Sequence, residues 1–400
     1  MKEFGWSLLA SLITSLIVLR IAHVQRRWGF DDAYESVRKL HPNPVPRLGG
    51  AGIIISAWFV ASLLNHQNEP TGSWLLSLLI VCLPAFLVGL GEDLTGRFSP
   101  AVRLCGMVVS GWLVWLVLQI GIFRIDIPFS NYVLTSSLSE GLAFSSSASI
   151  PNPSGLDLAT LEILPWFLLT MLALVTITNG INLIDGLNGL ASFSAITMLL
   201  GLGAVAFSVG DSLIASSAFV IAGSVAGFFV WNWPRGYLFL GDGGAYLLGC
   251  LLGVLSIALV QRNHAVSAWF AVLLLAYPLM EVAFSVWRRR LVKGRPAGLP
   301  DASHLHHLIY RRLIRFTIGK NPAESRLMRN AFAAPYLWIM NSFAVFPAVA
   351  FFDQAHWLAT CLLLFVGLYI WFYLRIVRLK VPKALIVRDP IRQASPPSAL

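Results

Sequence analysis

Eleven predominantly apolar stretches recur along this chain, at approximately residues 6–22, 48–64, 74–90, 104–123, 161–179, 190–208, 212–231, 245–260, 267–287, 333–351 and 357–374, none with more than one charged residue. A helix needs roughly 17–25 such residues to cross the hydrocarbon core of a bilayer. The sequence therefore predicts an all-α, polytopic integral membrane protein of about eleven transmembrane helices. With 57% hydrophobic and only 12% charged residues over 400 positions, and a mean hydropathy of +0.73, an assembly of soluble domains is excluded.

The net charge of +10 would raise nucleic acid as a partner for a soluble protein. Topology gives it a simpler origin. Numbering the connections alternately leaves Lys2, Arg124 and Arg262 on one side and the other 26 of the 29 Lys and Arg residues on the opposite side. Cytoplasmic loops carry such an excess, so the N-terminus is expected outside and the C-terminus in the cytoplasm, with no nucleic-acid partner. The first stretch lacks a basic start and a small-residue cleavage site, and reads as a retained helix rather than a signal peptide. Cys82, Cys105, Cys250 and Cys361 lie in or beside the stretches without paired spacing, as small core residues do. The Ser-, Asn- and Pro-rich segment 124–160, expected outside, shows no pattern that carries chemistry.

Polar clusters collect on the basic side. In Arg38-Lys39-Leu40-His41-Pro42-Asn43-Pro44-Val45-Pro46-Arg47-Leu48-Gly49-Gly50, alternating prolines stiffen a basic segment that can hold cations for a phosphate. Gly91-Glu92-Asp93-Leu94-Thr95-Gly96-Arg97 sets two carboxylates side by side past the third stretch, where like-charge repulsion, Mg²⁺ binding and proton acceptance are all available. At the end of the fifth stretch Asn179, Asn182 and Asp185 recur every three residues, on one broad helix face, before Gly186-Leu187-Asn188-Gly189 lets the chain turn back. Asp242 stands alone among Gly241, Gly243 and Gly244, a hard oxygen ligand where backbone and ligand can approach closely. In the long basic loop, His304, His306 and His307 precede Arg311, Arg312 and Arg315, a set that suits phosphate donors or a metal, although zinc would want further ligands.

Taken together, in this order and on one face, these clusters resemble the polyprenyl-phosphate N-acetylhexosamine-1-phosphate transferase family (glycosyltransferase family 4), over approximately residues 30–310. The His-x-His-His loop and the extra terminal span are more similar to its GlcNAc-type branch than to the pentapeptide branch of peptidoglycan synthesis. The resemblance implies transfer of an N-acetylhexosamine-1-phosphate from a UDP-sugar to undecaprenyl phosphate with release of UMP, initiating a lipid-linked surface glycan at the bacterial inner membrane. It implies Mg²⁺, replaceable by Mn²⁺, as cofactor. A homodimer is left open.

By the same resemblance Asp242 matches the metal-binding aspartate, and Asp93 with Glu92 the pair that assists or deprotonates the acceptor phosphate. Asp185 matches the catalytic position at the helix end, with Asn182, Asn179 and Asn188 toward the nucleotide. His304, His306 and His307 match the donor-binding histidines, and Lys39, His41 and Arg47 the acceptor-phosphate cations. Residues 1–375 then read as one transmembrane catalytic domain with its site on loops 23–47, 91–103, 179–190, 232–244 and 288–332, and 376–400 as a basic cytoplasmic tail. Three positions depart from the family pattern: Glu92 replaces an aspartate, Asn188 an aspartate and Ala245 a serine. A polytopic transporter is the alternative of a different class, and would place its polar groups at mid-membrane rather than at the rim.

Overall fold

The computed structural model describes residues 2–25, 30–31, 44–129, 133–135, 158–292, 304–314 and 322–378. Among them ten helices are long and apolar enough to cross a membrane, and an eleventh crossing is bent. The straight crossings are α1 (Lys2–Gln25), α2 (Gly49–His66), α3 (Pro70–Thr95), α4 (Pro100–Leu113, prolonged by a π-helical turn to Leu118), α5 (Leu158–Ile184), α6 (Leu190–Ser208), α7 (Ser212–Asn232) and α8 (Gly241–Arg262). The bent one is α9 (Ala268–Leu274) with α10 (Ala276–Trp287); after the short α11 (Leu305–Leu308) come α12 (Pro322–Ala350) and α13 (Ala355–Val377).

Each of the eleven expected spans is therefore present as a helix, most of them longer by a few residues at their ends. The ninth, expected to be continuous, breaks at Leu275 with a bend of 72°. Pro278 accounts for the position: in the first turn of α10 it has no N–H to offer the Leu274 carbonyl four residues back, and its ring crowds that carbonyl, which favours a break there.

The bundle is built around α8. Of its apolar window 94% is buried inside the protein, against 22% for α1, so α8 is the axis while α1 turns Leu9, Ile13 and Ile17 outward to lipid. Helices come close where side chains are small, as membrane helices must without a hydrophobic drive between them. The backbones of Gly50 on α2 and Gly244 on α8 touch, and a Cβ on either would collide with the other.

Successive helices cross in alternate directions, so the connections divide between two rims. At one rim Phe239 N–H donates to Pro46 (2.9 Å) and Asn188 N–H to Asn330 Oδ1 (2.8 Å), joining the loops before α2, α6, α8 and the start of α12. At the other, Ser267 N–H donates to the Phe352 carbonyl (2.9 Å) and Arg262 pairs with Asp211. There the antiparallel ribbon β3 (Arg124–Asp126) with β4 (Val133–Thr135) lies beside α9. A second small ribbon, β1 (Phe30–Asp31) with β2 (Val45–Pro46), lies at the first rim before α2.

Candidate active site

The first rim holds the polar clusters that the sequence singles out. Its fixed point is the start of α8. Gly241 takes φ +77°, a conformation an L side chain resists, and turns the chain so that the next two amides point at α3. They are received by Asp93, whose Oδ1 accepts from Asp242 N–H (3.0 Å) and Oδ2 from Gly243 N–H (2.9 Å). A carboxylate from the last turn of one helix thus caps the first turn of another and sits at the positive end of its dipole. Asp93 is 8% exposed, and both of its oxygens are committed to this anchor.

Held this way, Asp242 faces a polar pocket between three helices. Its Oδ1 accepts from Asn182 Nδ2 on the last turn of α5 (3.0 Å), and its Oδ2 from Arg103 on α4 (3.1 Å). Asp185, just past α5, lies near enough to feel the charges of both Arg47 and Asp242. Burial pushes its carboxyl up to about 7, with Arg47 working against that rise and the Asp242 carboxylate adding to it. The Asp185 side chain has no hydrogen bond among the described residues, which leaves its oxygens free for a ligand.

The remaining site residues divide. Glu92 turns away from Asp93 and accepts Phe98 N–H at 2.7 Å, closing the turn after α3. Asn179 donates back to the Val175 carbonyl of its own helix (2.9 Å) and to Met107 Sδ (3.2 Å). Asn188 is 2% exposed; its side chain donates to the Pro234 carbonyl (3.1 Å) and its backbone to Asn330, so it fastens the α5–α6 turn to neighbouring loops. Arg47 belongs to the pocket through its electrostatic contact with Asp185 and Asp93. Lys39 and His41, with Pro300-Asp301-Ala302-Ser303 and Arg315, lie outside the described residues.

The histidines sit together where α11 begins, with ring centroids 4.1 Å apart for His306 and His307 and 5.6 Å for His304 and His306. All three are buried, and the His306 ring presses on Gly186, next to Asp185. Burial, aided by His307 and His304, holds His306 well below the ordinary imidazole range, so it is neutral at pH 7. Arg312, from the same loop, points instead at α13, donating to the Ile376 carbonyl at 3.0 Å.

Two residues of this region escaped sequence reading. Arg103 reads as one more basic residue beside a span, and Glu281, which pairs with His304 (3.2 Å), as a lone charge inside one. An ionisable group inside a span was the available signal for the second.

Whether a divalent cation suits this rim can be judged from its donors. Among the described residues no three His, Cys, Asp or Glu side chains are grouped as a metal cage. Mg²⁺ commonly takes only one or two carboxylates and completes its shell with water and substrate phosphates. Asp242 and Asp185 fit that pattern: two carboxylates set against one another, one lacking any hydrogen bond, form an unfavourable pair that a cation relieves.

The model of glycosyl transferase family 4 matches residues 75–260, which run from α3 to α8 and contain Asp93, Asn182, Asp185 and Asp242. The chain is 30% identical over 321 residues to a protein of Bacillus subtilis described as a probable undecaprenyl-phosphate N-acetylglucosaminyl 1-phosphate transferase, covering 78% of this chain and 76% of that one. It is 26% identical to the undecaprenyl-phosphate alpha-N-acetylglucosaminyl 1-phosphate transferase of Thermotoga maritima, over 69% of this chain and 72% of the other. With the decaprenyl-phosphate N-acetylglucosaminephosphotransferase of Mycobacterium leprae it shares 27% identity over 69% of each.

Proposed function

This chain belongs to glycosyl transferase family 4, and on that premise we propose that it transfers an N-acetylhexosamine-1-phosphate from a UDP-sugar to undecaprenyl phosphate, releasing UMP. The chain is a multi-pass membrane protein, and UDP-GlcNAc is the donor its similarity to N-acetylglucosaminyl 1-phosphate transferases favours. The observation that carries the reading is the convergence of Asp242, Asn182, Asp185, Arg47 and Arg103 at one rim of an otherwise apolar bundle. A lipid-anchored phosphate and a water-soluble nucleotide can meet at a rim. They cannot meet at mid-membrane, where a transporter would keep its polar groups.

The chemistry divides among the residues by what each has to spare. Arg47 and Arg103 supply fixed positive charge for pyrophosphate and phosphate oxygens. Asp242 and Asp185 would hold Mg²⁺, which would supply charge neutralisation for the transferring phosphoryl group. Asp93 holds Asp242 in place through the start of α8. A phosphate monoester has its second pKa near 6, so the acceptor is largely dianionic at pH 7–8 and needs no strong base to attack. The three histidines, beside the Asp185 turn, face the donor. The basic residues flank this rim, which supports a site on the cytoplasmic face of a bacterial inner membrane.

The test is to incubate purified protein with undecaprenyl phosphate, Mg²⁺ and UDP-N-acetylhexosamines, and to identify both products. UMP with a sugar-pyrophosphoryl lipid supports the reading. UDP release would mean transfer of the sugar alone, and no turnover with any donor would overturn the proposal.

A further inference from the structure

Glu281 is a carboxylate inside a membrane-spanning segment, about one and a half turns into α10, and is 1% exposed. A charge so placed is costly, and where it occurs it generally serves a site with a definable partner. His304 Nδ1 lies 3.2 Å from Glu281 Oε2, with both side chains buried. The hydroxyls of Tyr277 and Tyr369, both buried, lie within reach of the same charge.

The pairing extends beyond two residues. His304 immediately precedes α11, and its carbonyl accepts Leu308 N–H (3.1 Å), so fixing its ring fixes the start of that turn. The His304 and His306 rings lie nearly parallel, 7° apart, and His307 packs on His306. The His306 ring in turn lies against Gly186, where any Cβ would collide with it. A packed path therefore runs from the carboxylate inside α10, through three imidazoles, to the turn that bears Asp185.

We propose that Glu281 is a positioning residue for phosphosugar transfer: by accepting the Nδ1 proton of His304 it fixes that ring's tautomer and holds the histidine trio against the Asp185–Gly186 turn. A carboxylate behind a histidine does this in other sites, leaving Nε2 as the ring's remaining polar atom. The inference rests on the transferase reading above. A buried ion pair serving stability alone would instead leave catalysis per folded molecule unchanged.

The two cases separate in a double-variant cycle on the full-length protein, with undecaprenyl phosphate, UDP-GlcNAc and Mg²⁺. In Glu281→Gln, kcat/KM for the donor should fall at least about tenfold while KM for the acceptor stays within about twofold, with partial recovery in Glu281→Asp. The Glu281→Gln/His304→Ala protein should be no worse than His304→Ala alone, because the two side chains act as one unit. Donor kcat/KM within twofold of wild type in Glu281→Gln, or losses that multiply in the double variant, would overturn the proposal. If the wild-type protein transfers no phosphosugar, it is the function that fails, and imidazole C2-hydrogen exchange read by mass spectrometry then decides the pairing. His304 is buried against Glu281, and without that acceptor its ring opens to water, so at one fixed pH it should exchange at least about threefold faster in Glu281→Gln, with the exposed His356 unchanged. Equal rates at His304 would refute the pairing.

Discussion

At the far rim of the bundle Asp211 accepts from Arg262 Nε (2.7 Å), Asn263 Nδ2 (2.9 Å) and Ile214 N–H (3.2 Å). Asp126 there accepts from Ser267 Oγ (2.6 Å) and Ala268 N–H (2.7 Å) and pairs with Arg124 (3.1 Å). At the near rim the Asp242 carboxylate has one amide and one guanidinium, and the Asp185 carboxyl has no hydrogen bond among the described residues. The pKa directions follow. Burial opposes ionisation of Asp211, but the bonds from Arg262 and Asn263 outweigh it and hold its carboxyl below the ordinary range. Burial of Asp185 is not offset in that way, and its carboxyl rises to about 7. A carboxylate with every lone pair occupied fastens helices together. One kept near other acids with lone pairs to spare is available to a cation and a substrate.

The contrast can be broken in several ways, beginning with the anchor between the two near-rim helices. Asp93→Asn replaces one of two acceptors with a donor that meets an amide N–H, so it should displace Asp242 and lower transfer at least about a hundredfold, or ~3 kcal/mol of activation free energy. Near-normal initial rates would remove Asp93 from the site. Asp185 gives a pH signature. Below about pH 7 its carboxyl binds a proton that a cation must displace, so the Mg²⁺ concentration for half-maximal rate should rise by up to about tenfold per pH unit between 7 and 6. In Asp185→Asn any residual activity should lose that slope.

At the far rim, Asp211→Asn should cost about 2–3 kcal/mol of stability, seen as a lower unfolding temperature, with activity per folded molecule unchanged. The folded-state carboxyl lies below its unfolded value, so this stabilisation is complete above about pH 4 and is lost as pH falls through the lowered value. The smallest effect belongs to Glu92→Gln. Its contact to Phe98 N–H survives in an amide oxygen, so rates should change by less than about threefold, or under ~0.7 kcal/mol.

How much of this was legible follows from what each signal is made of. The lipid core dictates span length, so eleven crossings could be counted from hydropathy, and the loop clusters stood out because ionisable carboxylates are costly at a bilayer. The break at Leu275 had a visible cause in Pro278, but a span can hold a proline without bending, as α3 holds Pro84. Side-chain direction was not legible. Glu92 and Asp93 are adjacent in sequence yet serve different turns, and Asn188, expected toward the nucleotide, fastens loops. Arg103 and Glu281 gain meaning only from partners 139 and 23 residues away in sequence. Arg262 and Arg124, two of the few cations on the sparse side, prove to be partners of Asp211 and Asp126.

The most direct test compares one carboxylate from each rim. Asp242→Asn and Asp211→Asn would be purified in parallel, and initial rates of phosphosugar transfer with Mg²⁺ measured per folded molecule. The account predicts a loss of at least about a thousandfold for Asp242→Asn, ~4 kcal/mol, and a rate within about twofold of wild type for Asp211→Asn. Equal losses in the two proteins, or near-normal turnover by Asp242→Asn, would contradict it.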